Sequence, residues 1–153
     1  MSPSGEIASG AAPGLSGLDQ LRGLVRAGAM GGIGTSLGFS LVEVEEGMAV
    51  FEGVPGAHAY NPIGSVHGGY AATLLDSACG CAVHSRLRPG QGYTTLELKV
   101  AYHKAMTDRT GVVRAVGRVL TMGRRVAFAE ARLTDATGAL YASATSTLLV
   151  IDP

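Results

Sequence analysis

The sequence lacks an excess of charge of either sign, a long apolar run and a large set of cysteines. Its 153 residues contain 12 Lys and Arg against 12 Asp and Glu, so no basic pattern of the kind that binds nucleic acid or an acidic membrane is present. No apolar run reaches the roughly 18 residues that span a bilayer, and the N-terminus lacks a signal-peptide pattern. We therefore expect no nucleic-acid partner, no membrane partner and a cytoplasmic location.

The two cysteines, Cys79 and Cys81, match neither a metal site nor a disulfide framework, and on a helix they would point in different directions. We expect small packing side chains, with no metal and no redox role. Neither Ser65 nor Ser77 lies in a G-x-S-x-G turn, and no convincing Ser-His-Asp or Cys-His set is present. These absences exclude a serine hydrolase.

The length and the 46% hydrophobic content are sufficient for one domain with its own core. Residues 1–14 are rich in small and polar residues and are predicted to be a flexible N-terminal segment, followed by a single domain over residues 15–153. Ser16 is a candidate N-cap, and the helical spacing of apolar residues from Leu18 to Val25 predicts a short amphipathic helix.

Alternating apolar residues predict a strand that begins at Leu37 and in which the apolar face shifts by one residue after Leu41, which indicates a bulge. A short second strand over 48–51 completes a hairpin. A strongly apolar helix is predicted from Gly68 to near Arg86, and four more strands over 94–104, 110–120, 125–134 and 140–150. This order predicts the α+β class, with a curved antiparallel sheet of about six strands around a central helix.

The start of the central helix carries the most informative segment. Asn61 precedes a corner formed by His67, Gly68 and Gly69, and the helix then carries a single carboxylate, Asp76. The first N–H groups of a helix have no partner inside it, and glycine lets a ligand oxygen approach them closely, which is suited to an oxyanion site. A charge on an apolar helix is costly unless it is paired or wet, and this favours a functional role for Asp76.

Helix geometry separates these two groups. Gly68 and Asp76 are 76 − 68 = 8 residues apart, which is roughly 12 Å along the axis. In acyl transfer, the donor and the base must both lie about 3 Å from the reacting atoms. One copy of the helix cannot supply both, so the site requires two chains or two facing segments.

The pattern N-x-x-G-x-x-H-G-G from Asn61 to Gly69, with Asp76 eight residues after Gly68 and the strand around Thr95, resembles the PaaI-like group of hotdog-fold acyl-CoA thioesterases. The resemblance implies a hotdog fold over residues 33–150 and hydrolysis of an aryl- or medium-chain acyl-CoA thioester to a free acid and coenzyme A. It implies no cofactor, because coenzyme A is part of the substrate. It also implies a homodimer or a dimer of dimers, which would be a homotetramer.

The resemblance assigns roles to individual residues. The N–H of Gly68 would polarise the thioester carbonyl, and Asp76 from the opposite subunit would act as base or nucleophile. Asn61 and His67 would orient the carbonyl or the attacking water, and Thr95 would lie near the acid of its own subunit. For His67 the alternative is a purely structural role in capping the turn.

Coenzyme A carries phosphates, so basic residues are expected at the entrance of the site. The basic candidates, each with the alternative of being a solvated residue at a strand end or turn, are Lys104, Arg109, Arg124 and Arg125. Gly69 is a further substrate-binding candidate, and its alternative role is to relieve crowding where the loop enters the helix.

Two other functions remain open for this fold. A hydratase or dehydratase of acyl thioesters would use a histidine together with a carboxylate. A non-catalytic acyl-CoA sensor would bind the ligand without turning it over, and the presence of an ionisable Asp76 weighs against it.

Overall fold

A computed structural model describes residues 14–153. The predicted flexible segment therefore lies, apart from Gly14, outside the described residues. The elements in chain order are α1 (Gly17–Ala27), α2 (Gly32–Leu37), β1 (Phe39–Glu45), β2 (Met48–Gly53), a 3₁₀ turn (Ala57–Ala59), α3 (Gly68–His84), β3 (Gly92–Tyr102), β4 (Val113–Met122), β5 (Val126–Asp135) and β6 (Leu140–Ile151).

The six strands form one antiparallel sheet in the order β1-β2-β4-β5-β6-β3. All six strands contact α3, the long central helix. The predicted α+β class and the hotdog arrangement, with a short N-terminal helix, are confirmed. The order also makes β1 and β3 the two edge strands, and β3 is an edge of 11 residues.

Helix α1 begins where the sequence predicts it. The Ser16 hydroxyl accepts a hydrogen bond from the Asp19 N–H at 3.2 Å, and so it provides the expected N-cap. The helix ends at Gly28, whose φ of 61° is in the left-handed region that favours glycine. Leu21 anchors the helix in the core.

The segment before β1 differs from the prediction. Leu37 is the last residue of α2, a six-residue helix that the sequence did not indicate, and β1 begins at Phe39. A Cβ on Gly34 would lie 2.8 Å from the Phe39 carbonyl oxygen, so this helix exists through a close approach of two backbones that only glycine permits. The predicted bulge in β1 is present, with a register shift between Leu41 and Glu43.

Helix α3 ends at His84, two residues before the predicted end. Its buried side packs so closely on the sheet that a Cβ on Gly117 of β4 would meet the Ala78 carbonyl oxygen at 2.2 Å. The strongly apolar sequence of the helix suggests that it is covered on every side, but one side is not fully covered. A stripe of small and polar residues along it is only half-buried: Gly69, Ala72, Thr73, Asp76 and Ser77.

None of the helices within residues 14–153 is both long enough and apolar enough to span a membrane.

Candidate active site

The first turn of α3 is a tightly bonded corner with one free donor. His67 is the N-cap, and its ring Nδ1 accepts a hydrogen bond from the Gly69 N–H at 2.7 Å. The Tyr70 N–H donates to the His67 carbonyl at 2.9 Å. The N–H of Gly68 donates to no partner in the part of the chain that the structure describes. A single backbone donor at the positive end of a 17-residue helix is therefore available to a ligand oxygen.

Tyr102, at the end of β3, holds this corner from the other side. Its hydroxyl donates to the Gly68 carbonyl at 2.8 Å. A Cβ on Gly68 would lie 3.1 Å from the Tyr102 ring, so the absence of a side chain at Gly68 lets the ring lie flat against the helix start. The sequence analysis missed Tyr102, because a contact across 34 residues leaves no local pattern.

Asp76 lies on the half-buried stripe of the same helix. The Thr95 hydroxyl of β3 donates to its Oδ1 at 3.0 Å, which fixes one carboxylate oxygen and leaves the other with its acceptor capacity. The structure thus brings Asp76 and Thr95 together as the resemblance implied. It also places Gly68 and Asp76 on one continuous helix, where they are roughly 12 Å apart along the axis.

The surroundings of Asp76 keep neighbouring groups uncharged. Burial, together with the negative charge of Asp76, raises the pKa of the Cys81 thiol to about 12. Burial first, and then the charges of Asp76 and Glu130, raise the pKa of Cys79 to about 12. Burial also raises the pKa of Tyr93, with smaller contributions from Cys81 and Asp76. Neither thiol is therefore ionised at neutral pH, so neither is suited to act as a nucleophile.

Asn61 is used within its own loop. Its Oδ1 accepts from the N–H groups of Ile63 at 3.1 Å and Ser65 at 3.3 Å, and its Nδ2 donates to the Ser65 hydroxyl at 3.1 Å. These bonds shape the turn that leads into His67. A direct role of Asn61 or His67 in orienting substrate stays a prediction.

The basic candidates lie at opposite ends of α3. Lys104 lines a cleft of about 330 Å³ together with His67, Gly68 and Tyr102, and its Nζ is 5.3 Å from the centre of the Tyr141 ring. Arg124 and Arg125 follow β4 at the other end, where Arg124 shares a second cleft with the exposed Arg86 and Arg88. The two ends are separated by the length of α3, roughly 24 Å.

Of the remaining candidates, Gly69 lies on the half-buried stripe of α3, and Arg109 is exposed in the loop between β3 and β4. Residues 14–153 contain no group of three His, Cys, Asp or Glu side chains placed to hold a metal ion.

Within residues 14–153, the structure has an N–H without a partner at the start of α3 and a carboxylate with one hydrogen bond on the same helix, inside a hotdog sheet. Acyl transfer uses groups of these two kinds. Residues 63–142, more than half of the chain, match the family model of the thioesterase superfamily. The chain belongs to the thioesterase superfamily, and it is a thioester hydrolase.

Three relatives illustrate the similarity. The chain is 27% identical over 119 residues to a 1,4-dihydroxy-2-naphthoyl-CoA hydrolase of Listeria monocytogenes, a match that covers 78% of this chain and 95% of the relative. It is 31% identical to a conserved protein of Pseudomonas aeruginosa of known structure, with a TM-score of 0.74 and coverage of 82% and 98%. The Escherichia coli PaaI protein from the phenylacetic acid degradation operon shares the fold, at 18% identity, a TM-score of 0.75 and coverage of 88% and 94%.

Proposed function

We propose that the protein hydrolyses an aryl- or medium-chain acyl-CoA thioester to a free acid and coenzyme A, in a site shared by two subunits of a homodimer. The observation that carries this proposal is the geometry of α3. A free N–H lies at its start and a carboxylate eight residues later, with a half-buried stripe between them. The Listeria relative is named a 1,4-dihydroxy-2-naphthoyl-CoA hydrolase, and the aromatic acyl group in that name supports the aryl part of the substrate class.

In the proposed reaction, the Gly68 N–H of one subunit donates to the thioester oxygen and stabilises the charge that develops there. Asp76 of the other subunit takes a proton from a water molecule, which attacks the carbonyl carbon. The C–S bond breaks, and the departing thiolate takes the proton back from Asp76. Alternatively, Asp76 attacks the carbonyl carbon directly and expels the coenzyme A thiolate. Water then hydrolyses the resulting anhydride, which releases the acid, restores Asp76 and supplies the proton that the thiolate takes up. No cofactor takes part in either route.

Two-fold symmetry fixes how the two subunits of the proposed dimer face each other. If Gly68 of each subunit faces Asp76 of the other, the two copies of α3 run antiparallel, and the two-fold axis passes midway between these residues, at Ala72. The part of the half-buried stripe nearest the axis is formed by Gly69, Ala72 and Thr73, whose side chains are small enough for two helices to approach closely. The same axis passes beside β3 at a level between Thr95, which contacts Asp76, and Tyr102, which contacts Gly68. The exposed edge of β3 can therefore pair with its own copy.

The arrangement of histidines weighs against the hydratase alternative. His67 Nδ1 is used on the Gly69 N–H, His58 Nε2 contacts the Leu37 carbonyl, His84 Nε2 contacts Gln20, and His103 Nε2 contacts Ser143. A hydratase needs a histidine that is free to act on the substrate's carbon atoms, whereas each of these four already has a ring nitrogen engaged within its own chain.

Complementation tests the shared site. Asp76→Ala removes the acid, and Gly68→Pro removes the donor N–H at a helix position where proline is well tolerated. His67, with ψ of 137°, already has the extended conformation that a following proline requires. Each variant alone should release no thiol from acyl-CoA, whereas a mixture refolded together should recover part of the activity, because a mixed dimer contains one complete site. Two inactive variants that stay inactive when mixed would contradict the proposal.

A bulky side chain at the axis gives an independent test. Ala72→Phe should convert the dimer to a monomer in sedimentation or size-exclusion measurements and abolish thiol release, although Gly68 and Asp76 are unchanged. Ala136→Phe, which adds the same ring to an exposed turn, is the matched control. A fully active monomer would rule out the shared site.

Isotope labelling separates the two chemical routes. In a single turnover in heavy-oxygen water, label in the Asp76 side chain demonstrates the anhydride, because direct attack by water places the label in the acid product alone.

A further inference from the structure

A further cavity lies beside α3, at the end of the sheet that carries β1 and β2. It occupies about 210 Å³ between α1, the α2 segment, the β1-β2 hairpin and α3. Apolar side chains form most of its wall, and no lining residue carries a charge; the residues that matter below are Leu24, Met30, Ile33, Phe39, Ser77 and Cys81. Met30 and Ile33 are exposed on its outer side. Exposed apolar side chains around a concave surface are typical of a ligand site.

One residue in the wall of this cavity, Ser77, is the direct sequence neighbour of the proposed catalytic acid. Both residues belong to the half-buried stripe. Ser77 follows Asp76 directly and points about 100° away from it around the helix, and of the two only Ser77 lines the cavity. Cys81 lies five residues beyond Asp76, about 7.5 Å along the axis. A group attached to the carbonyl carbon at Asp76 can therefore extend past Ser77 towards Cys81.

The volume and the lining limit the occupant. An apolar cavity of about 150 Å³ accepts one benzene molecule, so about 210 Å³ holds one ring with a short arm, or an unbranched chain of similar bulk. A charged group would lose its hydration there without gaining a partner. Long fatty acyl chains exceed this space.

We infer that this cavity is the acyl pocket, that it belongs to the subunit that supplies Asp76, and that Cys81 and Leu24 set the largest acyl group the enzyme accepts. This inference rests on the proposed thioester hydrolysis at Asp76. It adds the residues that select the acyl group and the subunit on which they lie.

Changing the size of the pocket tests the inference. Thiol release is measured with acetyl-, hexanoyl-, phenylacetyl- and dodecanoyl-CoA. Cys81→Phe fills the pocket and should lower kcat/KM for phenylacetyl- and hexanoyl-CoA by about tenfold or more relative to acetyl-CoA. Leu24→Ala lengthens the pocket and should raise kcat/KM for dodecanoyl-CoA relative to hexanoyl-CoA. Thr145→Phe, which adds a ring to the exposed outer face of β6, is the control and should leave the preference unchanged.

Mixed dimers assign the pocket to a subunit. When an Asp76→Ala chain is paired with a Gly68→Pro chain, the complete site takes its acid from the Gly68→Pro chain. Cys81→Phe placed on that chain should reduce turnover of phenylacetyl-CoA, and the same change on the Asp76→Ala chain should not. The opposite result would overturn the assignment.

The remaining outcomes are also decisive. If Cys81→Phe lowers activity equally for every acyl group, the cavity is not the acyl pocket. If Cys81→Phe fails to fold, as judged by circular dichroism, Leu24→Ala alone carries the test, and an unchanged preference in that variant overturns the inference. If the unaltered enzyme releases thiol from none of the substrates, the proposed function itself fails.

Discussion

The start of α3 and its middle carry the two groups of the proposed chemistry, Gly68 and Asp76, and the chain holds them very differently. At the start, His67 caps the helix, Tyr102 fixes the Gly68 carbonyl, and only one N–H is left free. In the middle, Asp76 accepts one hydrogen bond, from Thr95, and lies on the half-buried stripe. The donor is fixed by contacts from two separate segments, whereas the acid is oriented by one contact on a half-buried side of the helix.

The largest effect is expected at Asp76, which is oriented by one hydrogen bond from Thr95. Asp76→Ala should reduce thiol release by about 10³-fold or more, since it removes the base or nucleophile. Asp76→Asn, which keeps the size of the side chain, should be equally inactive if the charge is what matters. Turnover is measured by thiol release and folding by circular dichroism, with Glu45→Gln, an exposed carboxylate on β1, as control. Turnover unchanged in Asp76→Ala would refute the site.

The second-largest loss of activity is expected when the Gly68 N–H is removed. Gly68→Pro should lower kcat by about 10²- to 10³-fold, because it deletes the one N–H that can stabilise the developing oxyanion. Gly68→Ala keeps that N–H and adds only a Cβ near the Tyr102 ring, which is exposed and can move. Most activity should therefore survive in Gly68→Ala. Equal losses in the two variants would mean that shape, and not the donor, matters at Gly68.

A smaller effect is expected from the single bond that orients the acid. Thr95→Val keeps the shape of the side chain and removes the hydroxyl that donates to Asp76 Oδ1, so kcat should fall by about tenfold while KM changes little. Thr95→Ser should restore the rate because it restores the donor. If Thr95→Val left kcat intact, Asp76 would be positioned by other contacts.

The smallest effect should come from Tyr102, since His67 also organises the corner. Tyr102→Phe removes one hydrogen bond to the Gly68 carbonyl and keeps the ring in place, so we expect a loss of about threefold to tenfold in kcat, in line with one neutral hydrogen bond of about 1 kcal/mol. Comparison with Gly68→Ala separates the hydrogen bond from the packing of the ring. A loss as large as that of Gly68→Pro would make Tyr102 part of the oxyanion site itself.

The parts of this fold that sequence could predict are those with a local signal. The start of α3 at Gly68, the N-cap at Ser16 and the bulge after Leu41 each follow from neighbouring residues, and the four later strands begin and end within three residues of their predicted bounds. The relation between Gly68 and Asp76 was also predictable, because helix pitch alone fixes their separation.

The parts that sequence could not predict depend on distant contacts. Helix α2 has glycines at two of its six positions and a composition that favours no helix. It is positioned by the approach of Gly34 to Phe39. The contact of Tyr102 with Gly68 and the cavity beside Cys81 arise only when separate segments meet. A repeating pattern along the chain carries no information about such meetings.

The fixed eight-residue interval on α3 has a consequence for the cell. Under the proposed arrangement, a newly made chain has no activity until it associates with a second one, so monomers do not hydrolyse acyl-CoA. At low expression, hydrolytic capacity would then grow with the square of the amount of protein synthesised, and a modest change in synthesis would switch the activity on or off.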